Sequence, residues 1–292
     1  MSSAIAGVVR ELLVRYLDAW APVALHGARG ATFAQGWSGA IDVEAAEAAL
    51  RVFAEFSDRL RGRRLTVLLV APDPSNAARR LDAVQAELGT PAELSVHAVA
   101  GNPDDKLAVA LKAAGAAGAP LLAHLEDPGP SAISAAGVAR PAEVLLVSGT
   151  GQPPDPPFPL ATRVELVDNG SARLVTFGTT AGKGLEAFKN ALWAVDEYAG
   201  VRYRDPRDPE GHLLDISLNP HPGPLRRELL AQLRSAGACT VTELRHFALT
   251  GTVYRSADAL RAITALLQAG HVTRDPERGR LSGDVVIAPV SA

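Results

Sequence analysis

The chain has 292 residues, 47% hydrophobic and 21% charged, which gives enough apolar material for a core and excludes global disorder. A net charge of −3 removes whole-chain basicity as a pointer to nucleic acid, and the single cysteine, Cys239, excludes an intrachain disulfide framework or a cysteine-based zinc site. The start of the chain lacks the basic-then-apolar order of a secretory leader, and no apolar run reaches the length of a membrane span, so a cytoplasmic protein with no membrane contact is expected.

In chain order, Ile5 to Trp20 carries apolar residues at helical spacing on one face. A short strand is expected around Ala31 to Ala34, then a glycine-bearing loop, Gln35-Gly36-Trp37-Ser38-Gly39, and a helix from Val43 to Leu60. Leu65 to Val70 is continuously apolar, as in a parallel strand buried on both faces. Ala71-Pro72-Asp73-Pro74 stops it, with Ser75 or Asn76 able to cap the next helix. Strands are read again at Leu94–Val99, after Pro120 and at Glu143–Ser148, with an alanine-rich helix between the first two. This alternation predicts a Rossmann-like, doubly wound, mostly parallel α/β sheet. A proline-rich connector, 149–159, precedes two apolar segments around Asn169-Gly170, a hairpin signal that adds a terminal antiparallel pair. A helix over 182–200 closes the domain.

These features place an α/β domain at 1–204 and a linker at 205–224. Residues 225–292 read as helix, helix, helix, hairpin, a small winged-helix domain, with Thr240 or Thr242 and Ser256 as caps and Arg278-Gly279 at the turn. From Pro222 onward nine arginines face six acidic residues, giving +3 against −6 for the rest. Arginine outnumbers lysine 25 to 4 across the chain, so a basic surface also fits a high-GC genome.

Ligands of open α/β sheets bind beyond the carboxyl ends of strands, which makes Asp73 a candidate for a nucleotide ribose and Gly36 and Gly39 candidates for a cofactor loop. Trp37 between those glycines is expected to plug the cleft. Glu126-Asp127-Pro128-Gly129 follows a strand, where Asp127 could be a catalytic carboxylate or a turn residue. His124, within that strand, could be an acid or base or a hydrogen-bonded core residue. Asp155-Pro156-Pro157-Phe158 has the residue types of a base-flipping amino-methyltransferase loop, but in a proline-rich run it reads as linker. Ala181-Gly182-Lys183-Gly184 is too short for a phosphate loop. His212, His221 and His246 are scattered, Asp205, Asp208 and Asp215 read as solvated, and no metal-ligand spacing appears. On the winged helix, Arg255, Arg261, Arg274, Arg278 and Arg280 could meet phosphates of double-stranded nucleic acid.

Four segments resemble the three-Cys-motif partner proteins, a bacterial group with a Rossmann-type methyltransferase-like domain. Tyr16-Leu17-Asp18-Ala19-Trp20 is similar to that family's opening helix. Thr32 to Gly39 stands where the family has a phenylalanine–alanine–glycine–proline–glycine loop. Asp127-Pro128-Gly129-Pro130-Ser131 is similar to its aspartate–proline–phenylalanine–glycine–proline–serine segment, one residue short. Lys183 to Lys189, with Trp193 and Asp196, is similar to its late helix. The departures fall at the loops for cofactor and substrate. The resemblance therefore implies a non-catalytic or weakly catalytic module, without cofactor, that binds a partner protein or nucleic acid, with a homodimer possible. The alternatives are an active S-adenosylmethionine-dependent methyltransferase acting on nucleic acid and a transcription regulator with an α/β sensor.

Overall fold

The computed structural model describes residues 1–137, 141–151, 156–195, 201–214, 221 and 223–290. Asp155, Asp196 and Asp215 lie outside the described residues. The chain divides into two compact units, Met1–Leu213 and Leu214–Ala292, a division that falls within the stretch 205–224. Among the described residues no helix is long and apolar enough to cross a membrane.

The first unit runs α1 (Ser3–Gly27), β1 (Gly30–Trp37), α2 (Val43–Glu55), a 3-10 turn (Ser57–Leu60), β2 (Arg64–Ala71), α3 (Ser75–Leu88), β3 (Leu94–Ala100), α4 (Pro103–Ala113), β4 (Leu121–Glu126), α5 (Pro130–Ala136), β5 (Ala142–Ser148), β6 (Leu160–Asp168), β7 (Ser171–Thr179), α6 (Gly182–Ala194), β8 (Arg202–Arg204) and, at the boundary, β9 (Leu213–Leu214). The sheet order is β3-β2-β1-β4-β5-β7-β6-β8-β9. β1 to β5 are parallel, and β7 runs antiparallel to both β5 and β6. This is a methyltransferase-like Rossmann fold, a mixed α/β unit around a mostly parallel sheet. The order reverses between β1 and β4, so their carboxyl ends flank the switch-point crevice where ligands of this architecture bind.

Patterning explains the layers. Leu65 through Ala71 are all buried because helices cover both faces of β2. Odd-numbered residues of β1 meet α1 and α2: Phe33 packs edge-on against Phe53, which meets Trp20 in turn. Ala34 faces the opposite side, in a cluster with Leu107, Leu111, Ile133 and Phe158. Phe158 is thus a core residue beyond β5, packed where Gly178 leaves room for its ring. Asn169 and Gly170 both take positive φ, 41° and 87°, at the tight β6–β7 turn. A buried polar contact joins α1 to the sheet: the Tyr16 hydroxyl donates to Glu143 Oε2 at 2.6 Å, and Thr179 donates to Oε1 at 3.0 Å. Burial raises the pKa of Glu143 and, with that carboxylate beside it, lifts Tyr16 well above the usual phenol range. Gly184 stands so close to Glu143 that a Cβ would overlap the carboxylate, which accounts for a glycine inside α6.

The second unit holds α7 (Gly223–Ala236), β10 (Cys239–Thr240), α8 (Val241–Gly251), α9 (Ser256–Gln268), β11 (Val272–Asp275) and β12 (Val286–Pro289). Its antiparallel sheet has the order β10-β12-β11. Thr240 caps α8 in a reciprocal box with Glu243. Leu225, Leu229, Leu233, Leu244, Ile263, Leu266 and Ile287 form its apolar interior. β10 lies outside the sequence reading because two residues show no periodicity; Cys239 there is buried, which raises its thiol pKa.

Candidate active site at the carboxyl edge of the sheet

β1 extends to Trp37, so the expected loop 35–39 begins as strand. Pairing of β1 with β4 sets Gln35 opposite His124 and Trp37 opposite Glu126. Period-two alternation then puts all four side chains on the face covered by α1 and α2. Gln35 Nε2 lies 3.5 Å from His124 Nδ1. With the Gln35 amide donating, the His124 proton sits on Nε2, which faces Glu126 Oε1 at 4.0 Å, beyond hydrogen-bond reach. Trp37 Nε1, Ser38 Oγ, His124 Nε2 and Glu126 Oε1 are buried with no hydrogen-bond partner of good geometry among the described residues.

Burial sets the charge states. It pushes the fully buried His124 down to about 4, leaving a neutral imidazole at pH 7. It raises Glu126 as well, and the Trp37 indole opposes that rise. A cavity of 340 Å³ opens over this face, lined by Trp37, Gly39, Asp42, Glu126, Asp127 and Arg173 among others. It reaches Glu126 and Trp37. Asp127 takes φ 47°, a conformation unusual for a non-glycine residue, its amide donating to Val147 O at 2.8 Å. Its carboxylate pairs with Arg173 of β7 at 2.8 Å. Chemically, the face offers a carboxyl group able to hold a proton beside an imidazole that no solvent reaches.

The sequence candidates separate when placed in space. His124 and Asp127 converge on this edge. At Gly36 a Cβ would stand 2.8 Å from Leu125 and 3.3 Å from Pro103, so the glycine lets α4 approach the sheet. Gly39 lines the cavity with open space around it. Trp37 is 1% exposed and is a strand residue of the core face. Asp73 accepts from Ser75 N at 3.0 Å, a bond that lowers its pKa, and so caps α3 in place of Ser75 or Asn76.

The other helix starts at this edge are closed in the same way. Asp42 accepts from Ala45 N at the head of α2 and holds Arg10. Asn102 accepts from Asp104 N at the head of α4. Asp104 accepts from Gly129 N at 2.8 Å and Ala132 N at 3.0 Å and caps α5 from a neighbouring helix. Asp104, Arg173 and Gln35 escaped the sequence reading. For Gln35 a signal existed, since Gln35/Trp37 and His124/Glu126 each share a strand face; for the other two none did.

The five arginines of the second unit that the sequence offers to phosphates play different parts. Arg255 is buried, not displayed to a phosphate: its guanidinium meets Asp258 at 2.8 Å, and its backbone N–H donates to the same carboxylate. Arg261 also pairs with Asp258 at 2.8 Å. Despite burial, these two cations hold the Asp258 pKa low. Arg274 donates to Pro276 O and Gly279 O, organising the β11–β12 turn. Arg278 and Arg280 are exposed on that turn. Among the described residues no group of three or more His, Cys, Asp or Glu is placed to hold a metal ion.

No family model matches the chain, and no curated protein matches it. Among solved structures the chain is similar to a proposed methylase from Haemophilus influenzae (TM-score 0.36, 14% identity, over 56% of this chain and 88% of the other). It is also similar to a proposed methyltransferase from Escherichia coli (TM-score 0.35, 14% identity, 58% and 86%). A third is spermidine synthase from Thermotoga maritima (TM-score 0.34, 13% identity, 61% and 62%). At these scores the alignments carry no argument, and the assignment of the fold rests on the strand order and the switch point of the chain itself.

Proposed function

We propose that the chain is a methyltransferase-like protein that works by binding a partner protein and does not use S-adenosylmethionine. In this reading it is a relative of the three-Cys-motif partner proteins, with residues 225–292 as a winged helix. The observation that carries it is the closure of the carboxyl edge. Asp42, Asp73, Asn102 and Asp104 occupy amides at the heads of α2, α3, α4 and α5, the groups a nucleotide-like cofactor would otherwise engage. Pro103 and Leu125 fill the approach beside Gly36, and the bulk of Trp37 lies on the opposite face. Calorimetry with S-adenosylmethionine at millimolar concentration tests it. No heat of binding is expected; a micromolar isotherm restores the active methyltransferase, with Glu126 and Asp127 as the first residues to replace.

For residues 225–292 a partner protein is favoured over duplex nucleic acid because α9, the helix that would enter the groove of a winged-helix site, spends Arg255 and Arg261 on Asp258. One observation supports nucleic acid as a second reading: Arg278 and Arg280 stand exposed on the turn that would form the wing. Duplex retardation lost in the Arg278→Ala/Arg280→Ala protein decides for it.

A further inference from the structure

We propose that the amino-terminal edge of the large sheet, opposite the switch-point crevice, is a surface that grips the phosphodiester backbone of a nucleic acid through Arg29, Arg59, Arg61, Arg63 and Arg64. Two adjoining cavities define it. One, of 630 Å³, lies under the starts of β1 and β2 and is lined by Arg29, Arg63 and Arg64; the other, of 400 Å³, lies beside the end of α1 and is lined by Arg59, Arg61 and Arg63. Arg63 belongs to both. Pairing of Gly30 with Arg64, and the bond from Arg64 N to Arg29 O at 2.9 Å, set Arg29 and Arg64 side by side on adjacent strands. Between Arg61 and Arg63, Gly62 takes φ +72°, and nothing stands within 4 Å of where its Cβ would be. A backbone strand can therefore approach the main chain there.

None of these five makes an ion pair or a side-chain hydrogen bond among the described residues, a state that Arg79 of α3 shares away from this edge; Arg59 rests over the Phe56 ring at 5.5 Å. Elsewhere in the same unit Arg10, Arg15, Arg51, Arg80, Arg173 and Arg204 each pair with a carboxylate. Helix carboxyl ends gather at this edge of a parallel sheet and favour cations, and those of α1, α2, α3 and α4 together supply about two negative charges. Glu93, which lines the larger cavity, and Asp58, next to Arg59 in the chain, supply one each. An excess of about one positive charge remains on a unit that is otherwise acidic.

The ligand class follows from the arrangement. The cations are spread over two cavities and do not converge on one point, which suits a repeating polyanion better than a single phosphate. No exposed large apolar side chain lines either cavity, so the anchors on which a peptide or protein interface depends are missing. A phosphate backbone needs none, since its affinity comes from released counterions. This proposal is independent of the cofactor question at the other edge.

The test is a titration of the full chain with a labelled duplex and with a labelled single strand at three salt concentrations. For five phosphate contacts the log–log salt slope is expected near ~4.5 on duplex, and the Arg59→Ala/Arg61→Ala/Arg64→Ala protein should lose nearly ~3 of it without a change in sequence preference. The lysine triple variant at the same positions should keep the slope, and unchanged unfolding midpoints in both variants secure the comparison. Wild-type-like binding by the alanine triple variant overturns the proposal. So do abolition of binding by Arg278→Ala/Arg280→Ala alone, equal competition by polyglutamate, or no binding at low salt.

Discussion

The two ends of the large sheet handle charge in opposite ways. At the carboxyl end, where this architecture holds its ligands, Arg10 meets Asp42, Arg173 meets Asp127, and the helix heads are capped by carboxylates and an asparagine of the chain itself. At the amino end four exposed arginines and the half-buried Arg63 stand without ion-pair partners among the described residues. A side chain that satisfies its own fold is spent, and one left exposed and unpaired keeps its free energy for something outside. The usual site of the fold is thus the wrong place to look first for a charged ligand.

The small unit repeats the contrast within one helix and one turn, and it gives the largest expected effect. Asp258 is 4% exposed and holds both Arg255 and Arg261. Replacing it with alanine takes the carboxylate away from a buried guanidinium, at a cost of about 3–5 kcal/mol. Arg278→Ala, on the exposed turn, should stay within about 0.5 kcal/mol. Denaturant unfolding of the three proteins checks this; a small effect of Asp258→Ala would mean that the ion pair is open to solvent, and the distinction between spent and available arginines would fail.

Acid sharpens the comparison next. The folded value of His124, about 4, lies below its ordinary 6.5, so the unfolded chain takes up the proton first as pH falls. Stability present above pH 6.5 is therefore lost progressively towards pH 4, by about 2 kcal/mol at pH 5. Glu126 and Glu143, raised by burial above the ordinary 4.5, act with the opposite sign, because the folded protein takes up their protons first, above pH 4.5, and that relief is complete by the time the unfolded chain titrates. Comparison with His124→Gln isolates the histidine. The stability difference between the two proteins should shrink by about 2 kcal/mol from pH 7 to pH 5; a constant difference would show that solvent reaches the imidazole.

Much of this frame could be read from residue order. The continuous apolar run at Leu65–Val70 announces a strand covered on both faces, and Asn169-Gly170 announces the hairpin, because each signal is local. The closure of the carboxyl edge could not be read. Asp104 caps α5 across 25 residues, and an aspartate in the first turn of α4 looks the same whether it serves its own helix or another. Arg255 shows the reverse error: a basic residue at a helix start looks available until the fold buries it against Asp258. The cluster at Arg59, Arg61, Arg63 and Arg64 was visible in the sequence but carried no weight among 25 arginines until its lack of partners set it apart.

The glycines give the last and finest test. Gly36 and Gly39 look equivalent in the sequence, two glycines flanking Trp37, yet their surroundings differ. A Cβ on Gly36 would stand 2.8 Å from Leu125 Cδ2 and 3.3 Å from Pro103, whereas nothing lies within 4 Å of one on Gly39. Gly36→Ala must turn the Leu125 side chain aside and press on Pro103 of α4, and should cost about 1–3 kcal/mol. Gly39, whose φ is not in the positive region, can accept alanine. The substitution should be neutral or stabilise by up to about 1 kcal/mol, since it restricts the unfolded chain. Both outcomes follow if this segment is built for packing. If it instead cradles a ligand, Gly39→Ala, at the wall of the 340 Å³ cavity, should weaken that ligand while leaving the unfolding midpoint unchanged. Thermal unfolding of the two variants, with and without S-adenosylmethionine, separates the cases. A ligand-induced rise in midpoint that Gly39→Ala removes would return the carboxyl edge to service as a binding site and end the contrast between the two ends of the sheet.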